Sequence, residues 1–303
     1  MMIPMPGLAE QEFEKYREAG RIAKSVKEEA QKLVSSGRSV LETAVKIEEI
    51  IRSLGGEPAF PVNISIGSVA AHYTPTYSDK SLFPEKGLVK IDFGVHVDGY
   101  IVDTAFTIDL GGDYRVIMDA AKEALEKALS RVSPGVSFRD VGRIVEETAK
   151  RYSLKPVRNL SGHRIDRYKI HAGESIPNYQ EALIPWRFRE GGVYAIEPFI
   201  TSGAGLVSEG RLITIYSVKK TKVKSSEEEA RVLREAIARF KGLPFCSRWL
   251  ADLGGDIDAV LESLRSKGAL HPYPVLVEVS GAQVAQFEET IAIYEGSVYI
   301  LTR

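Results

Sequence analysis

The chain has 303 residues, 44% of them hydrophobic and 27% charged, with a formal net charge of −1. That length is ample for a sizeable core, and the near-neutral balance argues against a mainly electrostatic hold on nucleic acid or anionic lipid. No apolar run approaches the length of a membrane span, and the opening MMIPMPGLAEQEF lacks the basic and apolar regions of a signal peptide. The one cysteine, Cys246, excludes an intrachain disulfide, fits a reducing cytoplasm and reads as a packing residue.

From about Leu8 to Val34, Phe13, Tyr16, Ile22, Ala23, Val26, Ala30 and Leu33 recur at helical spacing. Gly37 ends that helix, and Ser39 caps a second one running to Leu54. The stretch AFPVNISIGSVAAHYTP, rich in Pro, Asn and Ser, reads as irregular.

Next comes KIDFGVHVDGYIVDTAFTIDL, Lys90 to Leu110, with Asp98-Gly99 as the signal for a two-residue hairpin turn. Centring the turn there pairs Val97 with Tyr100, Gly94 with Asp103 and Asp92 with Ala105. Side chains alternate along strands, so Asp92, Gly94, Asp103 and Ala105 share a face, while Ile91, Phe93, Val95, Tyr100, Val102 and Phe106 form a core face. Asp92 and Asp103 become diagonal neighbours about 7–8 Å apart, with room expected between them at Gly94 and Ala105. Two carboxylates in one small space repel unless a cation or shared proton compensates. Taken alone, the pattern also fits a solvent-exposed hairpin with scattered acids.

Helices are predicted at about Tyr114–Val132 and Ser137–Tyr152, and they repeat the first two. Tyr16-Arg17 matches Tyr114-Arg115, Gly37 and Ser39 match Gly135 and Ser137, and Glu48-Glu49 matches Glu146-Glu147, each 98 positions on. This pattern suggests an internal duplication, with a site where two pseudo-symmetric halves meet, although two amphipathic helices can also match by chance. NLSGHRIDRYKIHAG is again irregular, GGVYAIEPFI and GRLITIYSVKK read as strands, and Lys219–Lys224 is a short basic run at a strand end or linker. Helices at about Ser226–Lys241 and Ile257–Lys267, joined by a Gly/Asp loop, precede strands at Pro274–Val279, Ala282–Ile293 and Ser297–Leu301. A helical piece between strands reads as an insertion into an α/β domain.

Glu197 and Glu288 each fall inside an otherwise apolar strand, with no fixed Arg or Lys nearby in sequence. Together with Asp92, Asp103 and one histidine, they make a set of mostly hard oxygen ligands. That set suits a pair of divalent ions, with Mn, Fe, Co and Zn all compatible. An isolated strand glutamate is more often an edge charge, so only the set carries the argument. No Walker A loop, Rossmann fingerprint or GxSxG elbow is present.

The segments AFPVNIS, AAHYTP, KIDFGVHVDGYIVDTAFT, NLSGH, IHAG, YAIEPF and AQFEETI, spanning Ala59 to Ile293, resemble the methionine aminopeptidases of the pita-bread metallopeptidase superfamily. The helical insertion resembles the type II subfamily, and the lack of a long basic extension or zinc-finger module resembles its archaeal branch. The resemblance implies an α/β (α+β) pita-bread fold: duplicated halves about a pseudo-twofold, antiparallel sheet covered by helices, one catalytic domain over residues 1–303 and an insertion at 223–272. It implies two divalent metal ions, with Asp103 and Glu288 bridging, Asp92 on one, and His163 with Glu197 on the other. His72 then corresponds to the histidine near the scissile amide nitrogen and His171 to the one on the substrate carbonyl side. Phe60 and Tyr273 correspond to residues at the methionine side-chain pocket.

The implied reaction is removal of an N-terminal methionine that precedes a small residue, by a metal-bridging hydroxide, with Glu197 shuttling the proton. Five ligands fill such a site, which leaves out His96 near the hairpin turn; His271, before Pro272, reads as a structural loop residue. Expected partners are peptides beginning with methionine and, transiently, the ribosome. Neither membrane nor specific nucleic acid is expected, and the chain is expected to be a cytoplasmic monomer. Glu289 departs from the histidine usual after the last ligand; strand alternation turns it away from the metals, toward a cation not identifiable from sequence. The alternatives are a prolidase- or aminopeptidase P-like enzyme, which usually has an extra N-terminal domain, and a catalytically silent pita-bread binding protein, which typically loses ligands.

Overall fold

In the computed structural model, which describes residues 7–303, the chain starts with two helices, α1 (Glu10–Leu33) and α2 (Val40–Ser53). Met1–Pro6, part of the segment read for a leader, lie outside the described residues. The apolar stripe of α1, including Phe13, Tyr16, Ala23 and Val26, is buried, and the Ser39 hydroxyl accepts from Glu42 N at the start of α2. Three short strands follow, β1 (Glu57–Pro58), β2 (Asn63–Ile66) and β3 (Val69–Ala71), where the sequence suggested irregular chain. They are too short to show a period, and their ladders form only with distant strands.

The hairpin is β4 (Gly87–Val97) and β5 (Tyr100–Leu110), with the expected register: Val97 pairs with Tyr100, Gly94 with Asp103 and Asp92 with Ala105. Asp98 and Gly99 have φ of 53° and 86°, the left-handed pair that this turn requires. The space at Gly94 is not empty as expected. A Cβ there would lie 2.6 Å from the Phe60 ring and 2.8 Å from Ala59 Cβ, so the missing side chain admits Phe60 to the cleft.

The second half contains α3 (Arg115–Arg131), α4 (Phe138–Arg151), β6 (Lys155–Pro156), β7 (Ser161–Ile165), β8 (Ser175–Pro177), β9 (Val193–Ile196), β10 (Phe199–Thr201) and β11 (Val207–Val218). The duplication extends beyond the helices. α2 and α4 match end to end 98 residues apart, as do β1 and β6, and β7 begins 98 residues after β2. Gly37 N donates to Phe83 O at 2.9 Å, and Gly135 N to Phe188 O at 2.8 Å, so each helix pair docks on its half in the same way. His163 lies on β7, so Ser161–Ile165, within the stretch read as irregular, is a strand.

The remaining elements are α5 (Glu227–Phe240), a 3₁₀ turn at Ser247–Leu253, α6 (Ile257–Ser266), β12 (Leu270–Glu278), β13 (Val284–Gln286), β14 (Glu289–Tyr294) and β15 (Ser297–Ile300). The helices between β11 and β12 have a core of their own, built on Val232, Leu233, Phe245, Leu250, Leu261 and Leu264. The lysines of the Lys219–Lys224 run are exposed just past β11, and Cys246 is buried and free. His271 is on strand β12, paired with Ser217, rather than in a loop.

All strand pairs are antiparallel. One core lies under α1 and α2 with Ile64, Phe93, Val95 and Val102; a second lies under α3 and α4 with Tyr194, Ile196 and Ile291. The halves meet where β5 runs beside the β13–β14 segment. Ala105 and Glu288 exchange backbone hydrogen bonds, and threonine hydroxyls replace the rest of a ladder. Thr107 donates to Gln286 O at 2.6 Å, Thr104 to Glu288 O at 2.8 Å and Thr290 to Asp103 O at 2.7 Å. This seam brings the first-half aspartates beside the second-half glutamates.

Candidate metal centre and substrate cleft

Glu197 and Glu288 do not sit inside strands as expected. Each occupies a break, Glu197 between β9 and β10 and Glu288 between β13 and β14. Pro198 cannot donate to a ladder, so the strand is interrupted there. The same register that pairs His163 with Ala195 brings Ser161 beside Glu197, as Asn63 lies beside Asp92 in the first half. Asp92 and Glu197 are thus related by the duplication.

The seam gathers Asp92, Asp103, His163, Glu197 and Glu288 around one cleft of about 360 Å³. His163 Nε2 lies 3.6 Å from Asp103 Oδ2 and 3.5 Å from Glu197 Oε1, and Asp103, His163 and Glu288 offer ligand atoms within 4.8 Å of one another. Burial lowers the pKa of His163 to about 4, so these are approaches of a neutral imidazole rather than ion pairs.

Burial raises all four carboxyls above their usual range. For Asp92 the charge of Asp103 adds to it; for Glu197, those of Asp103 and Asp92; for Glu288, those of Asp103, Glu197, Asp92 and Glu289. Asp92 Oδ1, Asp103 Oδ1, Glu288 Oε1 and His163 Nδ1 are buried with no hydrogen-bond partner. A divalent cation would compensate that repulsion and satisfy those oxygens, and hard oxygen donors with one imidazole suit it.

Two further polar residues, neither a candidate ligand, support the walls of the cleft. Gln286, almost fully buried, directs Nε2 at Glu288 Oε2 (3.3 Å), Asp92 Oδ2 and Glu197 Oε2 (both 3.5 Å). Its signal was a polar residue two positions before Glu288 in an apolar run. Lys90, fully buried with its pKa lowered to about 7 by burial, donates to Gly67 O at 3.1 Å and Val284 O at 2.9 Å. It thereby ties the β2–β3 turn to β13, and nothing local in the sequence marks that role. Ile170, Pro244 and Ile215 join Phe60 and Tyr273 along the apolar side.

His72 is at the cleft with φ 65°, a left-handed conformation that costs a non-glycine residue about 1–2 kcal/mol. Ile64 N holds the next residue through Tyr73 O (2.8 Å), and His72 Nδ1 lies 3.2 Å from Pro274 O. A proton on Nδ1 satisfies that carbonyl and leaves Nε2 as an acceptor; burial lowers the pKa and keeps the ring neutral. His171 stacks edge-on to His163 at 4.6 Å between ring centroids and is open to the cleft solvent. Its pKa is also lowered, by enclosure in the cleft and then by His163, His72 and His271; the open solvent tempers the first cause. Tyr273 lies 5.6 Å from His72 and 6.4 Å from His171, ring to ring. His96 is remote from this cluster, with Nδ1 accepting from Gly99 N at 3.2 Å.

The chain is similar to known proteins over nearly its whole length. A methionine aminopeptidase of Pyrococcus horikoshii is 47% identical over 96% of this chain and 99% of its own length. One of Saccharolobus solfataricus is 41% identical over 98% and 99%. Among solved structures, a thermophilic Arx1 superposes with a TM-score of 0.84 at 17% identity, over 97% of this chain and 91% of that one. The methionine aminopeptidase of Thermotoga maritima gives 0.72 at 23% identity over the whole of both chains, and a prolidase of Pyrococcus furiosus 0.62 at 20% over 98% and 65%. At such identities the structures speak for the pita-bread fold alone. The model of metallopeptidase family M24 matches residues 14–295, and with the two close relatives it establishes that the chain belongs to that family.

Proposed function

We propose that the chain removes the N-terminal methionine from polypeptides by metal-assisted hydrolysis, with a small second residue preferred. The observation that carries this reading is the convergence of four carboxylates, two buried and two half-buried, and of His163 on the same cleft as two neutral histidines and an apolar wall. Asp92, Asp103, His163, Glu197 and Glu288 would hold two divalent ions, of Co, Mn, Fe or Zn. When bound, such ions polarise a carbonyl and bring the pKa of water toward neutrality.

The rest is the work of the side chains. Glu197, at a strand break beside His163, is placed to take and return a proton. The free Nε2 of His72 accepts the N–H of the scissile amide and so fixes its orientation. The neutral His171 donates to the oxygen that gains charge as the carbonyl is attacked. Phe60, Ile170, Pro244 and Tyr273 line the apolar side that takes the methionine side chain. We further read the chain as one catalytic unit carrying the α5–α6 insertion, monomeric and cytoplasmic, with transient ribosome contact.

Release of methionine from Met-Ala-Ser, measured with and without added divalent metal beside an X-Pro dipeptide, is the test. Metal-dependent release from Met-Ala-Ser is expected. Cleavage of the X-Pro dipeptide alone would replace this reading with a prolidase-like one.

A further inference from the structure

The helical insertion is joined to the body by a buried ion pair. Arg248, at the start of the 3₁₀ turn, meets Glu48 on α2 with both Nη atoms, each at 2.9 Å, and the two side chains are only 6% and 3% exposed. The remaining valences reach other segments. Arg248 donates to Pro75 O at 2.7 Å and Thr74 Oγ1 at 3.0 Å, while Glu48 accepts from Trp249 Nε1 at 2.9 Å and Val62 N at 3.3 Å.

Each of those segments leads into the cleft within a few residues. Val62 is two past Phe60, Thr74 two past His72, and Arg248 four past Pro244. Between Pro244 and Arg248, Phe245 exchanges both backbone hydrogen bonds with Tyr216 of β11, at 2.7 and 2.8 Å. The segment that starts at Pro244 is therefore pinned twice within four residues, to β11 at Phe245 and to α2 at Arg248. None of the five candidate ligands bonds to either member of the pair.

Replacing a buried ion pair by apolar residues of similar size is often neutral or stabilising, so stability alone gives little reason for this one. Its distinctive property is that a planar, bidentate fork joins α2, the Phe60 segment, the His72 segment and the insertion in a single geometry. We propose that the Glu48–Arg248 pair is the positioning device that sets the width of the pocket for the N-terminal side chain. The insertion thus serves as a specificity wall rather than as a separate functional module. This rests on the reading above, in which the apolar side of the cleft takes methionine.

The test compares wild type with Arg248→Lys and with the double variant Glu48→Leu/Arg248→Met, which removes the fork without leaving a buried charge unpaired. Metal content, melting temperature, kcat and KM for Met-Ala-Ser and Leu-Ala-Ser, and calorimetric binding of free L-methionine to the metal-loaded protein are measured. For the double variant, metal content and melting should stay near wild type and kcat within about threefold. KM for Met-Ala-Ser and the Kd for methionine should rise about tenfold, and the preference for Met over Leu should fall by about the same factor. Arg248→Lys, which keeps the charge and loses the fork, should show the same signs.

A stable double variant with unchanged KM, methionine affinity and preference would overturn the proposal. So would loss of metal with KM unchanged, since the pair would then act on the centre. A wild-type chain that binds methionine without releasing it from peptides would refute the functional reading, while the calorimetric comparison would still decide this one.

Discussion

Lys27 Nζ lies 2.9 Å from Glu289 Oε1 across 262 residues of chain, on the side of β14 turned away from the cleft. Lys27 also donates to Thr302 O at 3.1 Å, and Arg303 Nε approaches the same carboxylate at 3.4 Å. The Thr302 hydroxyl bonds to Glu289 and accepts from Thr290 N at 3.0 Å, and the Thr290 hydroxyl in turn accepts from Asp103 N and donates to Asp103 O. Glu289 is therefore part of a back-side network supporting the strand of Glu288. Burial lowers the pKa of Lys27 despite its partner, so the ammonium depends on that carboxylate.

The two adjacent glutamates should separate cleanly on substitution. Glu288→Gln is expected to abolish binding of the metal pair. Glu289→Gln should leave metal binding nearly intact but cost about 3 kcal/mol, because Lys27 loses its charge partner in a largely buried place. Metal titration and denaturant unfolding of both variants check this; the reverse result would place Glu289 in the centre.

Asp103→Asn removes a buried carboxylate from a cluster of four. Metal content and activity should fall together, while circular dichroism stays unchanged. In the metal-free protein the same change relieves repulsion, so its melting temperature should hold or rise. Retention of wild-type metal content would refute the role given to Asp103.

The histidines should divide into two classes. His72→Ala and His171→Ala are expected to keep metal and lose turnover by about 100-fold or more, the scale of one lost transition-state hydrogen bond. His163→Ala should lose metal as well. Equal metal loss in all three would erase the division.

His96 offers a pH signature away from the centre. Burial, and then the Lys241 charge, lower its pKa to about 4 against 6.5 for the ordinary group. Between those values the unfolded chain binds the extra proton, so stability rises with pH across the window and is lost as pH falls from about 6.5 toward 4. His96→Gln keeps an acceptor for Gly99 N without titrating. It should therefore lose about 2 kcal/mol less than wild type between pH 7 and pH 4.5, read from urea unfolding at both. Parallel curves would mean that His96 takes up its proton at the same pH in the native and unfolded chains.

What the sequence determined alone was whatever depends on neighbours in the chain. The Asp98-Gly99 turn set the hairpin register, Ser39 and Ser137 marked helix starts, and the repeat at 98 residues announced two similar halves. The ordered motifs pointed to the ligand candidates. Pairings between distant segments had no local signal. Strand period does not reveal that Glu197 and Glu288 sit at breaks, that Phe60 fills the space beside Gly94, or that Gln286 faces three acids. Nor does it match Lys27 with Glu289 or Arg248 with Glu48, pairs 262 and 200 residues apart. Turn chemistry and side-chain alternation act over a few residues, whereas a buried charge finds its partner only when packing removes water and brings remote segments together.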